Sequence, residues 1–113
     1  MTCYAICYLR DVDLGDEIVE YIDRIDETLA PYGARWLVHG GRLTPIEGDW
    51  DGDVVIIEFP DTATAQAWYD SPGYQAILPL RTEHSRSVTA LVEGVPEGYR
   101  AVDKLAQLLG RAG

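Results

Sequence analysis

Basic residues are scarce in this sequence. Of its 113 residues, nine are lysine or arginine and nineteen are aspartate or glutamate, a formal net charge of −10. That balance has the wrong sign for a protein that coats phosphate backbones, so no nucleic acid partner is expected. Long apolar runs are missing too. None approaches the ~20 residues of a membrane span, and the N-terminus MTCYAICYLRD lacks the basic region and cleavage site of a secretory leader. Neither export nor a membrane partner is expected. Cysteine is down to two residues, Cys3 and Cys7. Four residues along a strand separate them by about 13 Å, beyond the reach of a disulfide or a shared metal ion. Two small buried apolar side chains in a reducing, cytoplasmic setting are the expectation. The two histidines, His39 and His84, have no metal-motif spacing. EGDWDGD (47–53) lacks the closing glutamate and following helix of a calcium loop, and GGR (40–42) lacks the spacing and lysine of a phosphate loop. No metal and no cofactor is expected.

What is present is ordinary in bulk: 47% hydrophobic and 25% charged residues, typical of a globular domain. At this length about two-thirds of the extended surface can be buried, so a core needs no disulfide or metal. The charge is uneven. Residues 1–70 hold 15 acids and 4 bases, whereas residues 71–113 hold 4 acids and 5 bases.

Periodicity supplies the elements. CYAICYL (3–9) is aromatic and apolar on both alternating faces, a strand. Asp11 or Asp13 is placed to cap a helix carrying Leu14, Ile18, Ile22, Ile25 and Leu29 at helical spacing, which Pro31 and Gly33 stop. ARWLVHGG (34–41) reads as a second strand, extended by RLTPIEG after a kink at Gly40-Gly41. VVIIEF (54–59) is the third strand. Pro60-Asp61 opens a second helix, Ser71-Pro72 a further short one, and Pro79 is expected to kink or divide the segment bearing Arg81 and His84. SVTALVEG (87–94) is the fourth strand, and a helix is expected over about 99–109. The order β-α-β-β-α-β predicts an α+β fold, the ferredoxin-like sandwich with helices on one sheet face. Residues 1–95 form that domain and 96–113 a tail. Strands one and three are apolar on both faces, yet two helices cover only one. Pairing two sheets face to face is the economical solution, so a homodimer is expected.

The stretch EFPDTATAQAWYDSPGYQAILPLR (58–81) carries a resemblance. With Glu58-Phe59-Pro60, Trp68-Tyr69-Asp70-Ser71, Tyr74 and Arg81, it resembles the dimeric α/β-barrel family catalogued as domain of unknown function 1330. Gly40-Gly41, Glu47-Gly48 and Val92-Glu93-Gly94 also fit, and the likeness covers about residues 3–95. Asp53 departs from the pattern, standing where the family has a basic residue. The resemblance implies the barrel fold and a dimer. It implies no activity, because the family has none assigned. Similar dimeric α/β-barrel families include small monooxygenases and isomerases that use an aromatic pocket.

Candidate site residues follow from residue type. Glu58 interrupts an apolar strand and suits proton transfer if desolvated; alternatively it forms an ion pair with an arginine, Arg81 being one partner. Arg81 and His84, three apart on one helix, would together hold a carboxylate or enolate, or else stabilise the helix end and pair with an acid. His39 ends a strand beside two glycines, where a ligand can approach the backbone. Trp68, Tyr69 and Tyr74 are core residues or the walls of a ligand pocket. Ser71 is a helix cap rather than a nucleophile. Glu58 and His84 are thus the catalytic candidates, and His39, Trp68, Tyr69, Tyr74 and Arg81 the ligand-binding ones. The expectation is a small homodimer with a small-molecule pocket, in its sharper form a cofactor-independent enzyme. A non-catalytic ligand-sensing or assembly module is the alternative.

Overall fold

The computed structural model describes residues 1–110. Four strands, β1 (Cys3–Arg10), β2 (Arg35–His39), β3 (Asp53–Phe59) and β4 (Arg86–Glu93), form one sheet in the order β2-β3-β1-β4. All three neighbouring pairs are antiparallel. Helix α1 (Asp16–Leu29) joins β1 to β2, α2 (Thr62–Asp70) and α3 (Pro72–Thr82) join β3 to β4, and a short α4 (Asp103–Leu108) follows. No helix is long and apolar enough to cross a membrane among the described residues.

Local chemistry accounts for most helix boundaries. Asp61 caps α2 by accepting from the Thr64 backbone N–H at 2.7 Å. Ser71 ends α2 and begins α3: its hydroxyl donates to the Trp68 carbonyl at 2.7 Å and accepts from the Tyr74 N–H at 3.2 Å. Pro72 occupies the first turn, where its missing N–H costs nothing. Pro79 does not divide α3, which runs through it to Thr82. The N-cap of α1 is Gly15, with no side-chain cap, rather than Asp11 or Asp13. Asp11 adopts a left-handed φ of 48° and pairs with Arg86, while the Asp13 backbone bonds to His84. Asp16 and Glu17 in the first turn complement the helix dipole instead.

Two expected elements differ. Residues 41–52 add no strand: the chain turns away at Gly40 (φ 63°) from an edge strand that has no further neighbour. The loop returns to the sheet at Gly52, where a Cβ would sit 2.3 Å from the Leu9 carbonyl oxygen, so only glycine fits. The expected C-terminal helix begins at Asp103 rather than near Tyr99. Its side chains bury no face, and short unpacked helices are marginal.

The two sheet faces differ sharply. On one, Cys3 and Ala5 of β1 and Ile57 and Phe59 of β3 pack with Ile25 and Leu29 of α1, Ala65 and Trp68 of α2, and Tyr74 and Ile77 of α3. On the other, Ile6 has Ile56 and Ala90 as cross-strand neighbours, and Tyr8 has Val54 and Val88. No helix covers that second face among the described residues; the loop after β2 reaches only its Tyr8 end, where Trp50 packs on the Tyr8 ring, and Val88 is 70% exposed and Val92 47%.

Candidate functional site

On the covered side, α1 bridges the sheet incompletely and leaves a cavity of about 270 Å³. Its walls are apolar: Ala5, Val55 and Ile57 from the sheet, and Ile18, Ile22 and Ile25 from α1. The α1 residues arrive there because 18, 22 and 25 repeat at the helical period.

One end of the cavity is polar. Tyr21 of α1 and Tyr74 of α3 share a hydroxyl–hydroxyl bond of 2.7 Å. Arg81, one helix face along from Tyr74, is only 5% exposed. Its guanidinium donates to the Ser87 hydroxyl at 2.5 Å, to the Tyr74 hydroxyl at 3.5 Å and toward Cys7 Sγ at 3.8 Å. It also lies 5.9 Å from the centre of the Tyr21 ring. Every one of these partners is an uncharged group type or a thiol. No carboxylate is in ion-pair contact with Arg81 among the described residues.

Burial, reinforced by the neighbouring Tyr74, pushes the Tyr21 phenol well above its ordinary value. Burial works against the charge on Arg81, but Tyr74, Tyr21 and Cys7 outweigh it, and the guanidinium pKa is raised. Tyr21 is therefore neutral and Arg81 cationic over the whole working range.

The Tyr21 shift has a measurable consequence. In the unfolded chain the phenol ionises near pH 10, whereas in the fold it stays protonated beyond that. The stability it contributes is complete below about pH 10 and is lost as the pH rises further, by up to ~1.4 kcal/mol per unit. Urea midpoints at pH 9, 10 and 11 should fall less steeply for Tyr21→Phe than for the wild type. Parallel slopes would show that this phenol is not held neutral.

The structure sorts the candidate residues by place. Trp68, Tyr74, Arg81 and His39 line the same cavity. Trp68 closes its floor, with the indole N–H donating to the Thr28 hydroxyl at 3.0 Å. His39 stands at the rim, stacked on Trp36 with centroids 4.4 Å apart. Tyr69 lies behind the wall, 5.6 Å from the Tyr74 ring, and does not line the cavity.

Glu58 and Arg81 are not partners. Glu58 shares the parity of Val54 and Ile56 on β3, so it faces the uncovered side, opposite to Arg81. There it binds Arg35 at 2.6 Å. His84 is likewise separate from the cavity. It lies past the end of α3, with Nδ1 3.0 Å from the Leu80 carbonyl and Nε2 3.9 Å from Glu17. Arg81 and His84 do not converge, because α3 ends at Thr82 and the chain turns between them.

Five polar or aromatic lining residues are not among the site candidates that the sequence offers: Tyr21, Trp36, Cys7, Asp53 and Thr89. Tyr21 was detectable, since it sits three residues after Ile18 and four before Ile25 on the apolar stripe. Trp36 was not. It shares a face with His39, three residues on, only because β2 carries a bulge between Trp36 and Val38.

The family model described as a domain of unknown function (DUF1330) matches residues 2–95. No curated protein matches the chain. Among solved structures it is similar to a dimeric ferredoxin-like protein of unknown function from Jannaschia sp. CCS1. Identity there is 19%, covering 83% of this chain and 100% of that one, with a TM-score of 0.63. A second dimeric ferredoxin-like protein of unknown function, from Thermobifida fusca YX, is 17% identical over 83% of this chain and 92% of that one, TM-score 0.57. SnoaB, a cofactor-independent oxygenase from Streptomyces nogalater, is 13% identical over 88% of this chain and 96% of that one, TM-score 0.53. At such identities the likeness shows the fold alone.

Proposed function

The chain belongs to the DUF1330 family, and from that premise we propose that it is a homodimeric small-molecule-binding protein of the dimeric α/β-barrel type. In this reading residues 1–95 are the ligand-holding and dimerising domain, and residues 96–113 are an appendage to it. The observation that carries it is the cavity between α1 and the sheet, apolar along its walls and closed by the Tyr21, Tyr74 and Arg81 head groups. Apolar walls with a few convergent polar groups are the common composition of ligand sites. The dimer is supported by the uncovered apolar sheet face and by the description of two structural neighbours as dimeric.

A catalytic version rests on the same polar end. Tyr74 and Arg81 are placed to stabilise negative charge developing on a bound oxygen, which needs no cofactor. A base for such chemistry has to come from the rim, from His39 or Asp53, since Glu58 and His84 lie off the cavity.

The test uses 4-fluorotoluene, a small neutral probe, followed by 19F NMR. Saturable binding at one site per protomer is expected. Ile22 is half-exposed at the cavity mouth, so Ile22→Trp should block entry without unfolding the protein. A drop in affinity of about tenfold or more with an unchanged circular dichroism spectrum supports the reading. Equal binding by Ile22→Trp, or none by the wild type, removes it.

A further inference from the structure

We propose that the molecule held in the cavity is a monoanionic carboxylic acid with a compact apolar body, its carboxylate seated on Arg81 and the Tyr74 hydroxyl. This rests on the cavity being a ligand site and adds the class of ligand.

The starting point is a buried cation that has no carboxylate partner among the described residues. Burying a guanidinium is costly unless it is paired, and proteins ordinarily supply a carboxylate. Arg81 is buried and has none; its protein partners are Ser87, Tyr74 and Cys7. The two phenols nearby do not substitute, because Tyr21, whose proton is held by burial, is bonded to Tyr74. Arginine has five N–H donors in a rigid fork, and the three contacts all come from its two terminal nitrogens, which leaves the Nε edge of the fork without a protein acceptor among the described residues. A carboxylate fits that fork with two parallel bonds. Arg81 also borders the cavity itself, so an anion placed there reaches it without moving the fold.

Charge number and size follow from the remaining walls. Beyond the polar end, the Ala5, Val55, Ile57, Ile18 and Ile25 walls offer no donor for a second anionic group; of the other polar lining groups Thr89 is uncharged, and His39 shares the rim with the Asp53 carboxylate. The rim carries Asp53, and the whole chain is at −10, so both oppose a multiply charged ligand. A volume of 270 Å³ equals roughly nine waters at ~30 Å³ each, which suits a body of about ten non-hydrogen atoms. Sugar phosphates and nucleotides are thereby disfavoured.

The experiment compares 4-fluorophenylacetate, its neutral amide 4-fluorophenylacetamide and the dianion 4-fluorophthalate by 19F NMR titration at pH 7. The acid should bind about ten- to a hundredfold more tightly than the amide, the range of a charge-assisted hydrogen bond, and more tightly than the dianion. Arg81→Met should abolish the acid's advantage and leave 4-fluorotoluene binding unchanged. A second measurement needs only the wild type: lowering the pH through the probe's own carboxyl pKa, near 4.3 for an ordinary carboxyl, should weaken the acid and not the amide. Acid and amide binding equally, or the dianion binding best, overturns the carboxylate assignment while 4-fluorotoluene binding still upholds the pocket. Failure of 4-fluorotoluene and of all three probes removes the pocket reading and this inference with it.

Discussion

Replacing Trp68 with alanine should cost the fold about 3–5 kcal/mol, the range for removing a buried tryptophan or phenylalanine. Trp68 is 3% exposed and sits where α2, α3 and the sheet meet. Its indole packs 4.1 Å from the Tyr74 ring and 5.3 Å from Phe59, centroid to centroid. Truncation leaves a void beside Phe59 that rigid neighbours cannot close, and it removes the donor to the Thr28 hydroxyl. The same change extends the ligand cavity into the core, since Trp68 forms its floor. Urea unfolding at equal protein concentration measures the first effect. Binding of 4-fluorobiphenyl, larger than 4-fluorotoluene by one ring, measures the second as a gain over the wild type. A loss under about 1 kcal/mol would mean the indole is not packed as described.

In the proposed sheet-to-sheet dimer, Ile6→Asp should give a monomer with the fold intact. Ile6 lies at the middle of the uncovered sheet face, between Ile56 and Ala90 on its two neighbouring strands. In the single protomer this side chain is 36% exposed, so an aspartate there remains hydrated and costs the monomer little. In a face-to-face dimer with two-fold symmetry the substitution appears on both sides, burying two like charges without partners. Stable interfaces bury about 1,200–2,000 Å² in total, and charges at the centre of one weaken association by several orders of magnitude. Light scattering across micromolar concentrations should return a dimer for the wild type and for Ile6→Leu, and a monomer for Ile6→Asp. A wild-type monomer, or a dimeric Ile6→Asp, would place the interface elsewhere or deny it.

Arg81→Met, by contrast, should leave the unliganded protein close to wild-type stability. No carboxylate is stranded by the change, because Glu58 has its own partner in Arg35 on the other side of the sheet. Had Arg81 neutralised a buried carboxylate, removing it would cost about 3–5 kcal/mol.

Local structure was legible in the sequence wherever short-range physics decides it. The Asp61 and Ser71 caps, the proline at the start of α3 and the strands β1, β3 and β4 all follow from hydrogen-bonding chemistry or side-chain period within a few residues. So did the excess of acid and the apolar character of both faces of β1 and β3. Half of the candidate site was legible on the same grounds, since Trp68, Tyr74 and Arg81 stand on one stretch of chain.

Only the tertiary structure decided which groups meet. Tyr21 and Tyr74 bond across 53 residues of chain, and no local pattern pairs them. Alternation placed Glu58 on the opposite side of β3 from Ile57, but with both faces apolar nothing local says which one the helices cover. The bulge in β2 is a defect of pairing with β3, so Trp36 and His39 share a face for a reason lying in another strand. Arg81 is buried because α1 and the sheet close over it, and that packing leaves its charge without a carboxylate partner among the described residues. Capping and periodicity act over a few residues and are carried by composition, whereas a cavity is the space that several distant elements fail to fill.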